Sequence, residues 1–469
     1  MPCRFATRLL AVGFAAVSPA AGQPDASPVE LRTTVSQYGI TWTFERAAPC
    51  GRFVNGDWYA AGEVTVIAID PAPAPGRNGS VLNLTTNSAR TGFDSRLSSG
   101  RYSPDFDIFP PVSLKPGDAL VSSISADEVG WLPNMLRPSD RAANPVRTAA
   151  VLTVMPAGVP AGTFRPGYCD RSREKLYRAG DLRRGLLPRL SLEDIRMEHQ
   201  DGPLSLAFME RVFERPWLDT ITYGFAAPME NMPVYGREFA RAAGIGSLLL
   251  CSDFPAEDKE RLLVNMVQVG IDLWSIARAG GHPGWFAHGG HNSGRKWLIA
   301  LAGLMLGDAE MAAPSRTLPG FAFQEDMQTM HARAWTGADA VYGGHFGSKG
   351  HPGHPDWGPY EHLHPSEWPG DIGESYRRCC TSVAWVGEAL AARILGAEEA
   401  WDHPAFFDYV SRWMEEDDSE AVRIIQEARG RDYSAGWARQ RQIWDPFVQD
   451  MWRRHRHFRP PLDRRRGTM

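Results

Sequence analysis

The stretch PAEDKERLLVNMVQVGIDLWSIARA, residues 255–279, decides the fold. Its apolar residues Leu262, Leu263, Met266, Val267, Val269, Leu273, Trp274, Ile276 and Ala277 recur at the 3.6-residue spacing of one helix face. Asp253 stands where an N-cap is expected, and Gly280-Gly281 ends the run. The same period returns over 238–250, 296–306, 375–395, 404–414 and 420–427. The connections between these segments are short, which favours antiparallel helical hairpins. Upstream the pattern differs. Strand-like runs over 41–44, 63–69, 81–84 and 119–124 are separated by Gly, Pro, Asn and Asp clusters, as in a sandwich or similar β module. Asn55-Gly56-Asp57 is a turn signal between apolar flanks.

The chain has 469 residues, enough for two or three domains, and its 43% hydrophobic and 22% charged content is that of a globular protein. A net charge of −5 gives no general attraction to nucleic acid or anionic membranes, so neither partner is expected. Residues 1–23 read as a signal peptide: Arg4 and Arg8, then the apolar run Leu9 to Val17, then small residues from Ser18 to Gly22. That run is too short to span a bilayer, and no later segment offers about 18 uninterrupted apolar residues. A periplasmic or secreted protein follows as the expectation. A disulfide such as Cys50–Cys169 suits such a compartment, while Cys379-Cys380 reads as a pair of small core residues. Asn78-Gly79-Ser80 and Asn83-Leu84-Thr85 match the glycosylation pattern.

The fold class expected is therefore α+β and multidomain. A β-rich, sandwich-like module over 29–155 leads through a Pro-, Gly- and Arg-rich linker or crossing segment (156–194) to a helical domain (195–452) and a basic tail (453–469).

Of the 13 histidines, nine lie between His282 and His364. The densest part, Gly281 to Trp297, sits between two predicted helices and carries His288, His291, Asn292, Arg295, Lys296 and Trp285 among five glycines. Glu325, Gln328 and Thr329 would share a face if helical. A long Gly/Pro/His/Trp loop follows with His345, His351, His354, His362 and His364, whose spacing is compatible with a divalent metal, although none is required. Asn231, Tyr235 and Arg237 precede one helix, and Glu374, Tyr376 and Arg377 lie in another. No GxSxG elbow, P-loop or GxGxxG opening a helix is present, which leaves serine hydrolase, NTPase and dinucleotide chemistry without support.

This mixture suits β-elimination of a uronic acid. Asn, Arg or protonated His would neutralise the carboxylate, a His or Tyr would remove the α-proton, and a Tyr would protonate the leaving oxygen. Trp285 and Trp357 would stack on sugar faces, with Arg295 and Lys296 at acidic subsites.

With its helical hairpins, Tyr235, His288, His291, Asn292, Arg295 and Tyr376, the region 195–452 resembles the polysaccharide lyases built on an incomplete α/α toroid, the alginate- and glucuronan-type uronate lyases. The resemblance implies an all-α toroid cleaving an acidic polysaccharide or oligosaccharide, with Asn292 as neutraliser, His291 as base and Tyr235 or Tyr376 as acid. Two rivals stand beside it. One is a glycoside hydrolase on an α/α barrel using carboxylates from Glu325, Asp326, Asp371 or Glu374. The other is a non-catalytic glycan-binding protein that uses the β module as its binding face.

Overall fold

The computed structural model describes residues 29–86, 90–97, 100–127, 145–169, 175–220, 228–280, 282 and 284–460. The proposed signal segment and the last nine residues of the basic tail lie outside them.

The N-terminal half is built on strands β1 (Glu30–Gln37), β2 (Ile40–Arg52), β3 (Trp58–Ala61), β4 (Val64–Asp70), β5 (Ser80–Leu82), β6 (Val112–Leu114), β7 (Ala119–Ser125) and β8 (Val146–Met155). They form one eight-stranded half-barrel sheet in the order β5-β7-β8-β3-β2-β4-β6, with β1 paired to β2. One curved sheet thus takes the place of the two facing sheets of a sandwich. Pairing is antiparallel except between β3 and β8. The Asn55-Gly56-Asp57 turn joins β2 to β3, with Gly56 at φ 90°. Asn78 and Asn83 are held by internal bonds: Asn78 accepts from the Ser125 amide (2.9 Å), and Asn83 donates to Asp118 (2.8 Å).

Alternation along β7 and β8 settles which way the sheet faces. Leu120, Ala150 and Leu152 enter a core shared with Trp42, Phe44 and Val66, whereas Val121, Ala149 and Val151 join the core of the helices. The sheet is thus apolar on both faces where the helices cover it.

The C-terminal half is helical, so the α+β class holds. Two short pairs of residues, β9 (Glu198–His199) and β10 (Gly202–Pro203), lead into α1 (Leu206–Phe213), α2 (Gly236–Leu250), α3 (Ala256–Arg278) and α4 (Arg295–Leu306). Then come α5 (Ala309–Ala312), α6 (Pro314–Thr317), α7 (Gln324–Gln328), and the hairpin of β11 (Thr329–His331) and β12 (Ala340–Tyr342). The chain ends with α8 (Ile372–Tyr376), α9 (Ser382–Ile394), α10 (Glu398–Trp401), α11 (Pro404–Glu415), α12 (Ser419–Arg429) and α13 (Pro446–His455). Helix α2 packs along α9 where Gly244 meets Gly387, a backbone approach that leaves no room for a Cβ.

Three expectations change. Helix α3 starts after Pro255, whose fixed φ opens the helix, so Asp253 is not its cap. The segment 375–395 is not one helix: a π-helical turn at Arg377–Thr381 separates α8 from α9. Cys379 and Cys380 are disulfide-bonded to each other in that turn, whereas Cys50 and Cys169 remain thiols on different elements.

The segment 156–194 crosses between the halves and is tied down at a buried ion triad. Arg165 Nε donates to Asp57 (2.5 Å) in the β2–β3 turn, and its Nη2 donates to Asp272 (2.6 Å) on α3. Gln268 of α3 accepts from the Arg165 amide and donates to its carbonyl, both at 3.0 Å. No helix of the described residues is long and apolar enough to cross a membrane.

Candidate active site

Between α3 and α4 the chain turns back through a glycine-rich loop. Gly289 (φ 57°) and Gly294 (φ 91°) take left-handed backbone that glycine adopts without strain. Beneath the loop, α7 presents two amides as braces. Gln324 accepts from the Asn292 amide (2.9 Å) and donates to Gly289 O (2.9 Å) and Ser293 Oγ (2.8 Å). Gln328 donates to the same Gly289 carbonyl (2.9 Å) and to His345 O (3.1 Å). Glu325 accepts from the Gly294 amide at 2.5 Å. Thr329 has left the helix for β11, its hydroxyl donating to Glu325 O (2.7 Å).

Held this way, the loop brings five rings into one contiguous cluster. His288 and His291 stack with centroids 5.0 Å apart, and His291 meets the edge of Tyr235 at 4.7 Å. His345 meets His288 at 5.0 Å and Tyr376 at 4.3 Å, both edge to face. Tyr235 and His345 are buried, while His288, His291 and Tyr376 are half-buried and reach solvent. The Gly290 amide donates to Tyr235 Oη (3.0 Å). An outer rim follows: Phe346 and Trp357 stack at 5.0 Å, and the exposed His354 stacks on Trp357 at 3.9 Å.

Electrostatically the cluster is a set of neutral imidazoles. Burial, then repulsion from His288, His345 and Arg295, pushes His291 down to about 3. Burial, then His288 and His354, pushes His345 down to about 3. His288 is lowered by burial and by His351. Burial drives the Tyr235 phenol well above its usual value, so it keeps its proton. A neutral imidazole can accept a proton, more weakly the lower its pKa, and a protonated phenol can donate one.

The remaining sequence-predicted residues are in other places. Asn292 is buried, its amide donating to Phe286 O (2.7 Å), and Asn231 is buried with its amide on Arg215 O (3.1 Å). Arg295 chelates Asp219 (2.7 and 3.1 Å) and donates to His291 O (2.9 Å). Lys296 sits on both oxygens of Asp326 (2.7 and 2.6 Å). Arg237 holds Glu238 (2.6 Å) and Cys379 O (3.0 Å), and Arg377 holds Tyr409 (2.9 Å) and Glu374 (3.2 Å). Trp285 is fully buried against Phe321 and Phe323. These side chains, with Glu325 and Gln328, are buried and packed or bonded within the protein around the ring cluster. For Arg237, Arg295, Lys296 and Arg377 the physical reason is shared: a buried cation needs a counter-ion, and the protein supplies one internally. Of the carboxylates a hydrolase would use, Asp326 is paired with Lys296 (2.6 Å), Asp371 with Arg429 (2.8 Å) and Glu374 with Arg378 (2.6 Å), while Glu325 is buried with one oxygen on the Gly294 amide and no cation partner among the described residues.

No family model, curated protein or solved structure matches this chain. The residues themselves carry the reading. Gln324 and Asp219, which brace the loop and Arg295, had no sequence signal beyond their polarity. Among the described residues no group of three or more His, Cys, Asp or Glu is arranged to hold a metal ion.

Proposed function

We propose that the protein is an exported polysaccharide lyase of the α/α-toroid kind, cleaving a uronate-containing glycan by β-elimination without a required cofactor. The observation that carries this reading is the half-exposed, uncharged His291 set edge-on to Tyr235, with Tyr376 across the same floor beside His345. His291 removes the proton α to the carboxylate. Tyr376, the more exposed phenol, returns a proton to the leaving oxygen, and Tyr235 orients His291 and the Gly290 amide.

Neutralising the substrate carboxylate falls to different groups from those expected. Asn292, Arg295 and Lys296 point inward, so His288 is the group placed to do it. A uronate beside a half-buried imidazole raises the pKa of that imidazole and draws a proton onto it. Trp357 offers a ring edge for the sugar at the rim.

Incubation with a panel of uronate glycans, followed by ultraviolet absorbance, tests the proposal. A new unsaturated product is expected. Reducing ends without unsaturation would show a hydrolase, and retention alone would show a binding protein. His291→Ala should lower the elimination rate by roughly 10²–10⁴-fold, the usual contribution of a positioned base; full retained activity would remove His291 from the mechanism.

A further inference from the structure

The disulfide between Cys379 and Cys380 lies in the wall of the ring cluster. It closes a small covalent ring through the peptide unit that joins the two residues, inside the π-helical turn that follows Tyr376. Turns of this wide type recur at functional sites. Both carbonyls of the pair touch the site. Arg237 donates to Cys379 O at 3.0 Å. A Cβ added at Gly290 would fall on Cys380 O, with Cys380 Cβ at 2.9 Å and Tyr235 Oη at 2.8 Å, so the turn and the histidine loop are in direct backbone contact. Thr381 Oγ1 donates to Tyr376 O (3.1 Å), which ties the tyrosine to the same turn. The Tyr376 ring in turn packs on Gly289, whose Cβ would lie 2.7 Å from its Cδ1. Cys379 is half-buried and Cys380 buried, so Cys379 is the more accessible of the pair.

We infer that the Cys379–Cys380 bond is a reducible modification site that controls the geometry of the His291–Tyr235–Tyr376 cluster, and that its reactant is a dithiol. A dithiol thiolate attacks Cys379 Sγ, forming a mixed disulfide and releasing the Cys380 thiolate, which takes up a proton. The second thiol of the reagent then displaces Cys379 as a thiol, so two electrons pass from the dithiol to the protein and the dithiol leaves as its own cyclic disulfide. Reduction frees the peptide unit whose Cys379 carbonyl meets Arg237, and with it the Cys380 backbone that packs on Gly290. The loop contact then relaxes, and Tyr376 loses its fixed approach to His345.

The test uses the full-length protein and no glycan, so its result stands apart from the lyase reading. Dithiothreitol treatment followed by alkylation and peptide mass analysis should label both Cys379 and Cys380, which remain unlabelled before reduction. Reactivity of His291 toward diethyl pyrocarbonate, read by the same mass analysis, should change several-fold on reduction and return on reoxidation. The Cys379→Ser/Cys380→Ser double variant should show the reduced-state reactivity with no reagent added. The proposal is overturned if dithiothreitol leaves the pair unlabelled, or if His291 reacts alike in oxidised, reduced and double-variant protein.

Discussion

His291 has its charge state set by where it sits. Burial and the neighbouring His288, His345 and Arg295 hold its pKa at about 3, below the 6.5 usual for a free imidazole, and His345 behaves alike. Neutral rings therefore contribute stability that is fully present above about pH 6.5 and is lost progressively as pH falls toward 3. Proton NMR of the His291 ring should show no titration between pH 5 and 8; a midpoint near 6.5 would mean that the ring is not buried in the way described. Gly290 is a second position where a single atom matters. Gly290→Ala puts a methyl group against Cys380 and Tyr235, and should cost about 1–3 kcal/mol in a urea melt, the usual price of overpacking. The histidine clustering made this place visible in the sequence. What residue type could not reveal is direction: Arg295, Lys296 and Asn292 are the same chemistry whether they face a substrate or a buried carboxylate. Their partners Asp219 and Asp326 lie 76 and 30 positions away.

Among the elements, the short α7 does most to place the loop. Its Gln324 serves four loop groups at once, and Gln324→Ala would leave the Asn292 amide and the Gly289 carbonyl with fewer partners. The expected loss is roughly 1–3 kcal/mol for the buried groups left unpaired. Hydrogen exchange checks it: the Asn292 amide should speed up while amides in α2 and α9 keep their protection. The long helices were legible because an apolar stripe repeated over three or more turns resembles nothing else. Helix α3 covers 256–278 against the 255–279 of the periodic stretch. The break at Arg377–Thr381 was hidden, because Cys379-Cys380 reads as part of the apolar helical pattern and their bond to each other, which lies in the π-helical turn, leaves no mark in that pattern. Of the sheet's strands, β2, β4, β5 and β7 were legible as short apolar runs, whereas β1, β3, β6 and β8 were not, nor was closure into one half-barrel, which depends on the parallel pairing of β3 with β8 across a long separation.

At the scale of the whole molecule, the Asp57–Arg165–Asp272 triad joins the β half to the helices at a point without solvent. Removing one member of a buried ion pair strands the others, so Arg165→Met should cost about 3–5 kcal/mol. Chemical denaturation of the variant, followed by tryptophan fluorescence and by far-ultraviolet circular dichroism, should show a midpoint lowered accordingly; an unchanged midpoint would show that the halves do not depend on this residue. The triad also bears on how the molecule can be divided. A fragment begun at residue 195 would keep α3 but lose Arg165, leaving Asp272 charged in an apolar seam and baring the face that Val121 and Val151 cover. Such a fragment should precipitate or stay unfolded when expressed alone, so a minimal folded version of this protein has to keep Asp57, Arg165 and strands β7 and β8 together with the helices.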